Sequence, residues 1–493
     1  IVGIGILWKY GYYSQVRKED QTLNVLFEEK RYGFLKSTDI KFTIKVAKHE
    51  VWVTAYYLDP EIFHTAPIFL LSTDLPENDY LAKTISHKLY DANPDTQIAA
   101  SILLGEGGAK LLELIGWTPE IYHLNESHAL PLIFFLYCKY KNTNEVKKRF
   151  VFTNHTPEDA GNKKTNIAFL EKMSFFCEVP VTEIKAVVQS TTDELNHTQT
   201  ALKLAKISNG VSVLHKEILH RNWKDLVDLE KIISITNAQN YTFWHDEELT
   251  SSLNLNKEDE FRIIKKKKKK ELFDVVADQC GEIYNPDICT IVFAKRFAAY
   301  KRADIFFHDM DRFHELVSNK DRPVQIIWAG KPYPMDYTGI SVFDKIVDIC
   351  KKYTNCSILV GYEINLSKIL KRGADIWLNV PRYSHEASGT SGMSAAMNGC
   401  VNVAIADGWF PEFAKDKINS FIVPHSDISK PEHIQDDEDA SNLFNLLKNE
   451  VLPMYYDYPS RWFEIVKKSS EDIIPYFDSN RMAKEYYDKL YNA

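Results

Sequence analysis

Apolar and polar positions follow different rhythms in the two halves of the chain. The first half is irregular. Ile1–Leu7 reads as a strand, Val51–Leu58 alternates as a half-buried strand does, and Phe150–Thr153 is a short strand running into a polar turn. Gln97–Ile115 reads as a helix interrupted by Gly105, Gly107 and Gly108, and His128–Tyr140 is apolar on most sides, as a buried helix is. The second half is cleaner. Ile288–Ala294, Val324–Ala329, Cys356–Val360, Ile376–Leu378 and Val401–Ile405 are short apolar runs of buried-strand type, and Arg302–Val317 and Ser341–Tyr353 read as the helices between them. Strands alternating with helices predict a parallel, doubly wound α/β sheet, which binds ligands outside the carboxyl ends of its strands.

The chain has 493 residues, too many for one core and enough for two domains. A polar, Asn-rich stretch without periodicity, Asn237–Asn256, marks the junction. It divides the chain into residues 1–240 and 241–493, with the last helix, Arg481–Tyr491, a candidate to pack back across it.

A net charge of −8 argues against nucleic acid or an acidic membrane as partner. The one basic run, Lys265–Lys270, lies in a polar helix over Glu258–Cys280 and reads as a solvated helix face. Seven scattered cysteines with no CxxC pair suggest reduced thiols and a cytoplasmic location. No apolar run is long enough to cross a bilayer. The chain does not begin with Met, and its first residues read as a strand, so an N-terminal segment is expected to be missing.

Two segments carry candidate chemistry, and both fall at carboxyl ends of strands. Glu386–Met393 (EASGTSGM) combines small residues, the hydroxyls of Ser388, Thr390 and Ser391, and the start of a small-residue helix over Ser394–Asn398. A helix start offers free N–H groups and a positive dipole to an anion, and Glu386 beside it can accept sugar hydroxyls. Lys295–Arg302 (KRFAAYKR) places four cations after a buried strand, where Arg clamps phosphate by its fork and Lys as a point charge. A third group, His123, Asn125, Glu126, His128, Asn154, His155 and Thr156, lacks any zinc-ligand spacing. It reads as polar lining of a cleft, with His123 and His215 as candidate core histidines, and no metal is expected.

Taken together these segments resemble the α-glucan (glycogen/starch) phosphorylases, especially their shorter bacterial and archaeal branch. The resemblance rests on HLNESHA (123–129), TNHTP (153–157), Asn209-Gly210-Val211 with His215, Thr236-Asn237, residues 295–302, Ala329-Gly330-Lys331, residues 386–398 and Asp407-Gly408, in family order along nearly the whole chain. It implies a GT-B fold, two Rossmann-like doubly wound domains facing a central cleft, with the glucan acceptor on residues 1–240 and phosphate and cofactor on 241–493. It implies a retaining hexosyltransferase that moves glucose between an α-1,4-glucan end and phosphate, giving glucose 1-phosphate in glycogen or starch metabolism.

By the same resemblance Arg296 and Lys301 hold phosphate, and His155, His128, Asn237, Glu386, Ser388 and Gly389 hold the glucosyl unit, His155 beside the reacting bond. Thr390, Ser391 and Gly392 touch the phosphate of a pyridoxal phosphate cofactor whose ring Tyr362 flanks. Two departures stand out. Ser394 occupies the position of the family's imine-forming lysine, so covalent attachment there is lost. The family's Gly-rich phosphate loop would lie upstream of residue 1. Two alternatives therefore stay open: a GT-B glycosyltransferase that uses a nucleotide sugar, in the manner of glycogen synthase, and a non-catalytic glucan-binding relative. Oligomeric state is left open, a homo-oligomer included.

Overall fold

The computed structural model describes residues 1–157, 162–188, 190–225 and 231–493. Its second half is organised by a six-stranded, all-parallel sheet of Cys289–Ala294, Val324–Ala329, Cys356–Leu359, Ile376–Asn379, Val401–Ile405 and Ser420–Val423. These segments are nearly continuously apolar because helices cover both faces of the sheet. In chain order the strands lie 3-2-1-4-5-6 across the sheet. The order reverses between Cys289–Ala294 and Ile376–Asn379, and in a doubly wound sheet the ligand crevice opens outside the carboxyl ends at that switch point.

The first half is also α/β, with its strands divided among several sheets. Its described residues form two separate four-stranded sheets. One is mixed: Gly3–Ile6 runs parallel to Ile68–Ser72, which pairs antiparallel with His49–Leu58 and that in turn with Lys36–Val46. The other is parallel and lies in simple sequence order, from Tyr122–Asn125 through Phe150–Thr153 and Ser208–Gly210 to Ile232–Ser234.

The chain crosses between the halves more than once. The hairpin Ser14–Arg17 with Leu23–Leu26 leaves the first half and docks on the second, where Tyr13 donates to the Pro332 carbonyl (2.9 Å), Gln15 to that of Gly330 (2.8 Å), and Leu23 joins the sheet's core. In return the final helix, Ser479–Tyr486 with its π-helical continuation Tyr487–Tyr491, brings Leu490 against Val151 and Ile235 of the first half.

Three sequence expectations shift at this level. Gln97–Ile115 is two α-helices, Pro94–Ile102 and Gly108–Leu114, joined by a π turn over Leu103–Gly107. A side chain at Gly105 would press within 2.6 Å of the Ala129 carbonyl, so close packing fixes that glycine. Arg302–Val317 is α-helical only over Met310–Val317, with a 3-10 turn over Ile305–His308 before it. Arg302 itself is left-handed (φ 52°), and its buried guanidinium binds Asp439, Asp436 and the carbonyls of Val380 and Pro381, tertiary bonds that outweigh local helix propensity.

The Lys265–Lys270 run is not a solvated face. Lys266, Lys267 and Lys270 are exposed, but Lys265, Lys268 and Lys269 share the buried face of Glu258–Cys280 with Phe261 and Leu272. Lys268 and Lys269 exchange water for carboxylates, Asp246 at 2.8 Å and Asp375 at 2.5 Å. Among the described residues no helix is long and apolar enough to cross a membrane, and no cluster of three or more His, Cys, Asp or Glu side chains is placed to hold a metal.

Candidate active site

The loop after Cys289–Ala294 begins with two cationic residues, Lys295 buried and Arg296 half-buried. Lys295 sits at the end of the strand because its backbone N–H still pairs with the Ala329 carbonyl, and its ammonium turns under the sheet edge to Asn379. The neighbouring Gly330 (φ 153°) has to lack a side chain, since a Cβ there would lie 1.8 Å from the Lys295 carbonyl oxygen. Burial, with Lys301 nearby, holds Lys295 well below the ordinary lysine value. Arg296 stacks its guanidinium on the Tyr333 ring, 4.6 Å from the centroid, and bonds the Tyr333 hydroxyl, while its Nε is buried without a partner.

A 3-10 turn, Ala299–Lys301, then carries Lys301 inward, where its ammonium meets Glu386 at 2.5 Å. Burial opposes the charge of Lys301, but Glu386 and Tyr300 more than offset it and hold its pKa above the usual value.

Glu386 is fixed from behind. Its N–H donates to Asp407 (2.9 Å), whose second oxygen accepts from Gly408 (2.9 Å). Burial pushes Asp407 up to about 7. The chain then turns through Gly389 (φ 79°), where a Cβ would lie 3.1 Å from the Glu386 side chain, to the helix Ser391–Ala396, which starts earlier than the 394–398 span expected from sequence. That helix begins at Thr390, whose side chain does not cap it, and first-turn N–H groups lack intrahelical partners. Trp377 fixes Ser391 by donating to its hydroxyl at 3.2 Å.

The two segments singled out in the sequence are thus joined by Lys301 and Glu386. Lys295 lies near both Lys301 and Glu386, and Arg296 lies near Lys301, so positive charge gathers beside this pair. Tyr362 lies half-buried against the same region, its hydroxyl 3.3 Å from the Ala294 carbonyl and 3.4 Å from Ser367. Ser394 is buried one turn into the helix, where its hydroxyl donates back to the Ser391 carbonyl (3.3 Å).

The first half supplies the opposing wall. Ser212 caps the helix Val213–Trp223 and donates its hydroxyl to the Ala387 carbonyl at 2.7 Å, pinning the helix start to the Glu386 loop. His215, in that first turn, accepts from the Val211 N–H through Nδ1 and leaves Nε2 buried and unpaired. Burial, reinforced by nearby His155, pushes His215 down to about 3. His155 donates its backbone N–H to Glu126 (2.5 Å), its imidazole is held below the ordinary value by burial, and its Nε2 is also unpaired. Asn154 Nδ2 and Ser388 Oγ are buried without partners as well. Buried polar atoms in folded proteins are nearly always hydrogen-bonded. Four such vacancies around one interface fit a ligand with many hydroxyls.

The remaining expected residues fall into place unevenly. Asn237 is tied to the wall through its N–H to the Val211 carbonyl (3.0 Å). His128 is exposed at the start of the helix Pro131–Tyr140, and no described hydrogen bond ties it to this cluster. His123 is half-buried, bonded to Thr153 and Tyr491 and pushed down to about 4 by burial of its ring. Sequence reasoning missed Ser212 and Tyr333: the first shows only as a helix cap, and the second lies in a loop with no pattern of its own.

Comparison with known proteins adds a lineage. Residues 247–422 match the family model described as carbohydrate phosphorylase. Over its whole length the chain is 41% identical to an uncharacterized protein of Methanocaldococcus jannaschii, covering 92% of it. It is 31% identical to the maltodextrin phosphorylase of Thermococcus litoralis, spanning 66% of that protein's length, and 28% identical to the glycogen phosphorylase of Aquifex aeolicus, spanning 80%.

Proposed function

Because residues 247–422 match the carbohydrate phosphorylase family model, we propose that the chain belongs to that family and is a retaining hexosyltransferase that moves a terminal α-1,4-linked glucosyl unit between glucan and phosphate. The observation that carries this reading is the group of Lys295, Arg296 and Lys301 beside the Lys301–Glu386 pair, next to unpaired polar atoms of His155, His215, Asn154 and Ser388. An anion is needed to complete the first group and a polyol to complete the second, and glucose 1-phosphate is both.

In this reading Arg296 and Lys301 hold the substrate phosphate. Glu386, Ser388, the Gly389 backbone, Asn237 and His155 hold the glucosyl unit, with His128 further out toward the glucan. Cleavage of the glycosidic bond builds positive charge on the sugar. Preorganised donors that fix a phosphate beside it stabilise that charge without reorganising. Residues 1–240 present the acceptor glucan and 241–493 the phosphate, in a GT-B-like arrangement of a cytoplasmic enzyme.

The family's pyridoxal phosphate fits these residues in part. Lys295, Lys301, Thr390, Ser391 and Gly392 suit its phosphate, and Tyr362 suits its ring. Ser394 offers no amine, so attachment through this position is ruled out by chemistry. Bound non-covalently, the group would supply a second phosphate able to exchange protons during transfer, held by Lys295, Thr390, Ser391 and Gly392. The same serine favours a second reading, in which a nucleotide sugar takes the cofactor's place and its diphosphate lies on Arg296 and Lys301.

The two readings separate in one assay. Maltoheptaose and phosphate are incubated with the full chain, with and without pyridoxal phosphate, and glucose 1-phosphate is followed. Its release is expected. No release, with glucan extension from UDP- or ADP-glucose instead, selects the nucleotide-sugar reading, and glucan binding without either activity removes catalysis altogether.

A further inference from the structure

Among the described residues Arg296 has no carboxylate partner. Tyr333 orients it instead, with its ring centroid 4.6 Å from the guanidinium and its hydroxyl accepting from Nη1. That bond selects within the fork. A guanidinium presents Nε and Nη2 side by side along one edge, with Nη1 outside it, and such an edge can grip a phosphoryl group bidentately. With Nη1 taken, the Nε–Nη2 edge is left for a ligand, and Nε is buried without a partner. A buried N–H without an acceptor is costly, and an anion oxygen supplies one.

Tyr333 is set in turn by the first half. The carbonyl of its neighbour Pro332 accepts from two phenols, Tyr13 at 2.9 Å and Tyr12 at 3.3 Å. Lys331, one residue further back, donates to the Tyr13 carbonyl at 3.0 Å. The Tyr90 ring meets that of Tyr333 edge to face, with centroids 4.6 Å apart, and Tyr12 meets Tyr90 the same way at 5.4 Å. Burial raises the Tyr12 and Tyr90 phenols above the ordinary tyrosine value and Arg296 pulls against it, so its charge reaches both. Tyrosine suits this task, since a rigid ring with few torsions holds its position at little entropic cost.

We propose that Tyr333 is a positioning residue for Arg296: its hydroxyl occupies Nη1 and presents the Nε–Nη2 edge to the phosphoryl group, with Tyr12, Tyr13 and Tyr90 of the first half holding it in place. The inference rests on the reading of Arg296 as a ligand of the substrate phosphate. Its consequence is that a grip built in the second half is completed only when the first half is seated on it.

The test is isothermal titration of the full chain with glucose 1-phosphate, alongside initial rates of maltoheptaose phosphorolysis at varied phosphate and at varied glucan. Tyr333→Phe keeps the ring and loses only the hydroxyl. It is expected to weaken glucose 1-phosphate binding about tenfold and to raise the KM for phosphate by a similar factor, with the KM for maltoheptaose and the melting temperature unmoved. Tyr90→Ala is expected to weaken binding about threefold, and Tyr90→Phe to restore it.

A merely structural role would move both KM values and the melting temperature together, and that result in Tyr333→Phe overturns the proposal. So does an affinity for glucose 1-phosphate that is unchanged or tighter in Tyr333→Phe, which leaves Arg296 in the site. An affinity unmoved by Tyr90→Ala overturns the part given to the first half. Arg296→Lys tests the premise separately: if it binds glucose 1-phosphate as the wild type does, or if the wild type does not bind it saturably, Arg296 is no phosphate ligand and the proposal falls with that reading.

Discussion

Lys301 and Glu386 meet at 2.5 Å with about a tenth of either side chain exposed, so each stabilises a charge that the interior would otherwise reject. Lys301→Met removes the phosphate's charge partner as well as that of Glu386. We expect kcat/KM for glucan phosphorolysis to fall about 100-fold or more, and the melting temperature to fall with it. Adding Glu386→Gln should return most of the stability and none of the activity, since the double variant has no uncompensated charge but still lacks the phosphate donor. A double variant with recovered activity would remove Lys301 from the site.

Asp407 behaves in the opposite sense to a paired carboxylate. Its pKa is raised by burial from an ordinary 3.8 to about 7, so it binds a proton on folding. Its contribution to stability is therefore fully present below about pH 4 and is lost as pH rises toward about 7. In thermal unfolding, the stability of the wild type relative to Asp407→Asn should decline across that window and level off above it. A difference that grows with pH would contradict the assignment.

At the scale of elements, the buried strands of the second half were legible because both faces of a parallel sheet demand apolar residues, which leaves a run rather than an alternation. The turns proposed to bind the anion could be placed because they follow those strands. The helix expected over Arg302–Val317 was not legible, since it is overruled by contacts of Arg302 with Asp436 and Asp439, more than 130 residues away in the chain. The same holds for Lys265–Lys270: composition reads a charge run as solvated, and only the positions of Asp246 and Asp375 bring it inside. Gly330 shows how tightly an element end is fixed. Gly330→Ala should destabilise the protein by about 3 kcal/mol or more, because the strand end and the Lys295 loop must part to admit a methyl group. Chemical denaturation of the variant checks this, and a loss near zero would mean that the joint yields freely.

At the scale of the molecule, the two halves are tied by reciprocal exchanges: the hairpin over 14–26 lies on the second half, and the final helix lies on the first. A linear cut at residue 240 therefore leaves each half with a piece that packs on the other. No sequence pattern marks these exchanges, because Leu23 and Leu490 look like any other apolar residue until their partners are known. The candidate site was legible to the degree that its residues are clustered in sequence, as at 295–301 and 386–392. Its other wall, built by Ser212, His215 and His155, depends on how the halves meet.

The most direct test of the account is a crystal structure of the full chain with glucose 1-phosphate. The phosphate is expected between Arg296, Lys301 and the start of the Ser391–Ala396 helix, displacing Glu386 from Lys301, with sugar hydroxyls on Ser388 and His155. A sugar phosphate lodged elsewhere, with the Lys301–Glu386 pair intact, would contradict it.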